Sequence, residues 1–409
     1  MRSWRPPYLS AGLLAVTFAL FPACNGTSQP AIKMRPPCAG AGSICTWAGT
    51  GEPAFIDQDL AALDTALYWP LDIQFAPAAD GRGYIIDWQN HRVRRVDADG
   101  IIRTVIGTDE IGDGPLPGTG SETAAPGIAG TSINLNHPTD IQFASDGTLL
   151  LASWHNHKIR KYDVATGLVQ ISCGRGPGFS GDGGPADAAL MSMPKAIAFA
   201  PSGDLFIVDT RNFRVRRIAA DTGNIDTVAG MGTRGAAGDG GDPLAAQFSF
   251  QRGLDPTSAE GGDNPEPGGA VAVDSQGRLY IADTENQRIR RVDLVARTIE
   301  TVAGDGTAGF GGDGGAAIAA QLKYPRDIEI APDGRLFIAD TDNHRIRVVD
   351  LNSGIIDTVA GTGVAADTGD GGAAREAALQ RPWGIGFDAV GDLFIADTRN
   401  NRIRRVVQP

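Results

Sequence analysis

The chain has 409 residues, enough for one large closed core, and it is rich in Gly (55) and Pro (25) beside a 42% hydrophobic share, which suits many tight turns between short strands. The formal net charge of −12 repels phosphate backbones, so nucleic acid is not an expected partner. Five His leave little material for histidine-based metal catalysis.

In chain order, residues 1–7 carry Arg2 and Arg5, and residues 8–21 form an apolar stretch. That stretch is short for a membrane span and suits the core of a signal peptide. It ends at Phe21, Pro22, Ala23 and Cys24. The run resembles a bacterial lipoprotein processing site, with small Ala23 before the cut and Cys24 as lipid acceptor. It departs from that pattern at Phe21, where Leu is usual, and at Pro22, where a small residue is usual. The expected division is therefore 1–23 signal peptide, 24–43 lipid-anchor linker and 44–409 folded domain. The protein is expected to be exported, lipid-anchored to a bacterial membrane or otherwise periplasmic or extracellular; an ordinary secretory signal with an incidental Cys24 predicts export equally. No other segment is apolar enough to span a bilayer. In an oxidising compartment Cys38 and Cys45 can close a small loop. Cys173 falls where sibling repeats have Ala, as a small buried hydrophobe does.

The rest of the chain repeats itself. Residues 336–350 recur at 393–406, 279–293 and 205–218, with degenerate copies at 84–97 and 149–163. The six copies place Asp87, Ser153, Asp209, Asp283, Asp340 and Asp397 in register, the last two steps being 57 residues each. Longer steps reflect insertions at residues 109–130 and 252–267. Each copy reads as four short strands; in the fifth these are 327–331, 335–339, 345–350 and 355–360, separated by turn signals. A Gly-rich loop follows. Six four-stranded units predict an all-β, six-bladed β-propeller, antiparallel within each blade. The sixth copy stops after its third strand, and residues 48–70 align without gaps on 303–325. An N-terminal strand from Ile44 can therefore complete the last blade and close the ring.

Repeated Ile-Ala-Asp-Thr-x-Asn-x-Arg-Ile-Arg-Arg-Val, Thr-Val-Ala-Gly-x-Gly and Gly-Asp-Gly-Gly resemble the NHL-repeat propellers, in their bacterial and teneurin-like branch, over residues 44–406. The resemblance implies the fold. It does not choose a function, because such propellers include binding scaffolds, sensors and a few lyases.

The Asp-x-x-Asn-x-Arg pattern recurs in nearly every copy, and a catalytic site is normally unique, so these residues read as structural: Asn capping its turn and Asp340 pairing with Arg345 at the start of the next strand. The Gly-Asp-Gly-Gly loops place Asp182, Asp239, Asp313 and Asp370 on the same face as those turns. One carboxylate per loop is too few for Ca²⁺. His91, His157 and His344 share one turn position, with His155 and His137 nearby; a lyase of this fold holds Zn²⁺ with axial histidines, but these lie on turns and their convergence on one metal is not expected. Trp88, Trp154, His155 and His157 outline an aromatic ligand surface, and Trp69 and Trp383 can line the axis, although packing between blades explains the rings equally well. No metal or cofactor is expected. The preferred reading is an extracytoplasmic binding scaffold presenting its loop-rich face, with the two insertions as contact elements, to a protein or glycan ligand. The alternative is a metal-dependent lyase or hydrolase with its site at the axial end.

Overall fold

The computed structural model describes residues 37–38, 40–56, 59–77, 81–251 and 266–409. Cys24 and the expected signal and anchor segments lie outside them. The described secondary structure is strands and single-turn 3₁₀ helices. Among the described residues no helix is long and apolar enough to cross a membrane.

Blade five shows how sequence becomes structure. Its strands are Pro325–Ile330, Leu336–Asp340, Arg345–Asp350 and Ile355–Ala360, paired antiparallel in that order. The second strand is buried along its whole length, as its continuous apolar run requires. The first begins two residues earlier than the alternation predicts, at Pro325, and a bulge follows between Pro325 and Asp327; a Pro with no amide to donate sits readily at such a strand start. Five other sheets repeat this plan. The innermost strands are Pro70–Phe75, Pro138–Phe143, Pro194–Phe199, Ala270–Val273, Pro325–Ile330 and Ile385–Phe387. Each packs against the next around a closed ring, the last against the first. Four blades add a two-residue outer strand, such as Gly315–Ala316 on Ile355 and Ile356, which covers part of the exposed edge.

Closure follows the permuted sequence. Ile44–Ala48 pairs antiparallel with Arg402–Val406, Ile44 opposite Val406 and Cys45 opposite Arg405. A disulfide joins Cys38 to Cys45 at the start of this clasp. Cys173 is free and fully buried, and burial pushes its thiol up to about 12. The core consists of apolar layers between adjacent blades, for example Phe206, Val208, Phe248, Phe250, Ile281 and Ile338.

Candidate functional site

The repeated polar residues form one internal lock per blade. Arg347 is fully buried and bridges two carboxylates, Asp340 at 3.3 Å and Asp313 of the Gly-rich loop at 2.6 Å. Thr358 donates to the other oxygen of Asp313 at 2.7 Å. Asn343 donates to Asp340 and to the Gly309 carbonyl. The expected pairing of Asp340 with Arg345 is thus corrected. These two lie opposite each other in the strand register, but Arg345 reaches the Thr362 carbonyl and stacks over Phe310, leaving Arg347 to enter the interior. The same lock joins Arg216 to Asp209 and Asp182, Arg290 to Asp283 and Asp239, and Arg404 to Asp397 and Asp370. Asp182, Asp239, Asp313 and Asp370 therefore spend their oxygens inside the blade. A buried guanidinium is tolerable only with such partners.

Blade two lacks the Asp, having Ser153. There Arg160 binds Glu122 at 2.8 Å and Asp113 at 2.7 Å, while Lys158 binds Asp113 at 2.9 Å. Both acids come from the insertion at 109–130, which is knitted into the blade through nearly buried Glu122 and the pairing of Ile128 with Val169. The first insertion is thus part of the framework.

The histidines of the repeated turn join blades. The residue after each Asn adopts left-handed φ, near +55° at His91, His157, Gln287, His344 and Asn401. Except in blade three, where it is Phe213, its side chain then accepts the amide of a residue in the next blade. His91 Nδ1 takes His137 N at 3.1 Å, His157 Nδ1 takes Met193 N at 3.1 Å, and His344 Nδ1 takes Arg381 N at 3.0 Å. Gln287 and Asn401 do the same for Tyr324 and Trp69. These inter-blade bonds stabilise an otherwise strained backbone.

Against this repeating frame, three positions per blade do not repeat: the residue before the innermost strand, the second residue of that strand, and the third residue of the Asp-Thr-x-Asn turn. They gather at one axial end. Together with the second residue of the turn and the residue after its Asn, they bring an aromatic and imidazole belt together on blades one, two and six. Trp69 stacks on Trp88, Trp88 packs on His137 and Trp383, His137 meets His91 and His155, and His155 stacks on Trp154. His137 and His155 approach Nδ1 to Nδ1 at 3.1 Å. Burial lowers His91, His137 and His155 each to about 4, so the belt is neutral near pH 7. Among the described residues no three His, Cys, Asp or Glu are grouped as metal ligands. Trp88, Trp154 and Trp383 are almost fully buried, so their rings serve packing. Their indole N–H groups have no hydrogen-bond partner among the described residues.

Blades five and six form the other half. Glu266 receives Arg326 Nη2 at 2.8 Å, Arg381 Nη1 and Nη2 at 2.7 and 2.5 Å, and Arg399 Nη2 at 3.1 Å. Arg381 also binds Asp342 at 2.9 Å. Arg399 lies 3.6 Å over the Trp69 ring and Arg326 4.5 Å over Trp383. Burial pushes the Glu266 carboxyl up, but Arg381, Arg326 and Arg399 outweigh it and hold it at about 2. A cleft of about 520 Å³ opens beside this cluster, lined by Glu266, Tyr324, Arg326, Asp342, His344 and Arg381.

The innermost strands also carry a group of carboxylates, with Asp72 and Asp140 buried. Asp72 accepts Ile141 N at 2.9 Å, Asp140 accepts Ile197 N at 2.6 Å, and Asp327 accepts Ile385 N at 2.9 Å, each bond crossing between blades. Lys195 spans from blade three to the Arg326 carbonyl at 2.8 Å. Burial raises Asp72, Asp140, Asp327 and Glu329.

Of the residues singled out from sequence, Trp88, His91, Trp154 and His155 are brought together; His344 stands at the cleft, and His157 sits between blades two and three. The arginine cluster and the axial carboxylates were not anticipated. Their signal was present as departures from the repeat: Leu71, Thr139, Lys195, Gly269, Arg326 and Trp383 share one position.

A family profile described as the teneurin NHL domain matches residues 300–368, and one described as the NHL repeat matches residues 267–292. Residues 267–292 and 300–368 thus carry NHL-type repeats within a six-bladed propeller. Protein SUPPRESSOR OF QUENCHING 1, chloroplastic, of Arabidopsis thaliana is 29% identical over 316 residues, 75% of this chain and 27% of that protein. NHL repeat-containing protein 2 of Homo sapiens is 27% identical over 349 residues, 78% of this chain and 44% of its own length. Teneurin-1 of Mus musculus is 35% identical over 95 residues, 20% of this chain and 4% of its own. The NHL propeller thus spans from a few per cent to under half of these relatives' lengths. An auxiliary nutrient binding protein from Bacteroides thetaiotaomicron shares the fold at TM-score 0.61 and 17% identity, covering 88% of this chain and 75% of its own.

Proposed function

We propose that this NHL propeller is a non-catalytic binding scaffold that works outside the cytoplasm at the cell envelope, held there through Cys24, and that it presents the axial face to a protein or glycan ligand. The observation that carries the reading is the gathering of the non-repeating positions at one end of a repeating ring. Repetition serves stability there, and its local breakdown marks where recognition has a use. The cleft volume falls in the range of small-ligand sites. One fold neighbour is described as an auxiliary nutrient binding protein; that likeness speaks for the architecture, and the reading rests on the face.

The test is a binding screen of the purified protein against envelope glycans and exported proteins, followed by variants. A ligand bound by the wild type is expected to be lost in Arg381→Ala with Arg399→Ala and retained in Arg297→Ala, which alters an exposed ion pair with Asp242. A ligand equally sensitive to Arg297→Ala, or indifferent to the axial pair, would place recognition elsewhere.

A further inference from the structure

The arginine cluster has a geometry of its own. Each oxygen of Glu266 receives two guanidinium donors: Oε1 from Arg381 Nη1 and Arg399 Nη2, Oε2 from Arg326 Nη2 and Arg381 Nη2. Arg381 grips both oxygens as a fork. Four donors, two per oxygen and one pair bidentate, fit a planar carboxylate better than a tetrahedral anion. Three guanidiniums meet two carboxylates, Glu266 and Asp342, so the group keeps one positive charge on a chain of net charge −12. Beside it Trp383, 4% exposed, holds an indole N–H with no partner among the described residues. Tyr324 lines the same cleft. Its volume of about 520 Å³ suits a one- or two-ring molecule.

Resting on the binding role proposed above, we infer that Arg326, Arg381 and Arg399 form a carboxylate subsite for an acidic sugar, and that Glu266 occupies this subsite as an internal competitor. The incoming carboxylate takes over the fork of Arg381 and the donor of Arg399, and the sugar hydroxyls lie against the polar cleft wall. A peptide ligand fits less well, because an extended chain calls for a long groove or an open strand edge and the cleft offers neither.

The proposal makes an unusual demand: removing the Glu266 charge must strengthen binding. Calorimetric titration of the full protein with galacturonate and glucuronate is expected to show saturable binding, at least tenfold tighter than with glucose, acetate or inorganic phosphate. Glu266→Gln keeps the size of the side chain and is expected to tighten uronate binding by about tenfold, whereas Arg399→Ala weakens it by about tenfold or more, as loss of a charge-assisted bond does. Arg381→Lys keeps the charge, loses the fork, and is expected to weaken it comparably. Should Arg381→Lys fail to fold, the other two variants still decide. Equal binding of phosphate or acetate, a Glu266→Gln affinity no higher than wild type, or binding of an oligoglutamate peptide but no uronate would each overturn the inference. A ligand found in the wider screen that needs Arg381 but is not a uronate would overturn this inference and leave the scaffold role standing; no ligand at all would sink both.

Discussion

At the scale of residues, the six copies of one polar motif act through burial. Arg94, Arg160, Arg216, Arg290, Arg347 and Arg404 are at most 1% exposed. An ion in such a place costs several kcal/mol to desolvate, and the partners on both sides offset it. The burial predicts a large asymmetry between positions that look alike in sequence. Arg347→Ala leaves Asp340 and Asp313 facing each other without their cation and is expected to cost about 3–5 kcal/mol in chemical denaturation. Arg297→Ala removes an ion pair whose side chains are 63% and 45% exposed, and should change stability by less than about 1 kcal/mol. Near-equal costs would mean that the interior locks are dispensable.

At the scale of elements, the turn between the second and third strands does two jobs. It folds locally into one 3₁₀ turn, Thr341–Asn343 in blade five, and the side chain that follows, His344, ties that blade to the next. Where this side chain is His, the acceptor is an unprotonated Nδ1. Burial lowers all three of these, His91, His157 and His344, with His91 near 4, and it holds the neighbouring His137 and His155 near 4 as well, against 6.5 for a free imidazole. Above pH 6.5 folded and unfolded chains are both neutral at these groups, and the stability is fully present. Below 6.5 the unfolded chain binds protons that the folded one refuses, so stability falls as pH drops and flattens near 4. Denaturation midpoints measured from pH 7.5 to 4 should fall in that window, and His155→Gln should lessen the slope. A slope unchanged in His155→Gln would remove this imidazole from the account.

At the scale of the whole molecule, closure is the decisive event. The clasp strand Ile44–Ala48 docks on Arg402–Val406, and the Cys38–Cys45 disulfide secures its leading end. By loop entropy a disulfide across so short a loop is worth about 2–3 kcal/mol. Replacing both cysteines by serine should lower the unfolding free energy by about that amount, with one cooperative transition retained; no change would mean that the clasp holds without it. Sequence alone determined the six blades, the strand alternation within each, the permuted closure and the family likeness, because each rests on patterns local to a copy and visible by comparing copies. It also marked Cys173 as a small core residue and Trp88, His91, Trp154 and His155 as neighbours at one end. What it left undecided depends on distance across the ring. Arg347 rather than Arg345 meets Asp340: the two share one face of the third strand, but Arg345 at its start turns to the Thr362 carbonyl and the Phe310 ring, while Arg347 is buried against the carboxylates. Glu122 replaces a missing Asp from an insertion 31 residues before Ser153. Glu266, Arg326, Arg381 and Arg399, from blades five and six and the end of an insertion before blade four, become one charge cluster only when these neighbouring blades pack together. A repeat fixes what every blade must do for its neighbour; the axial end depends on what the blades do differently, and only the closed ring brings those differences within reach of one ligand.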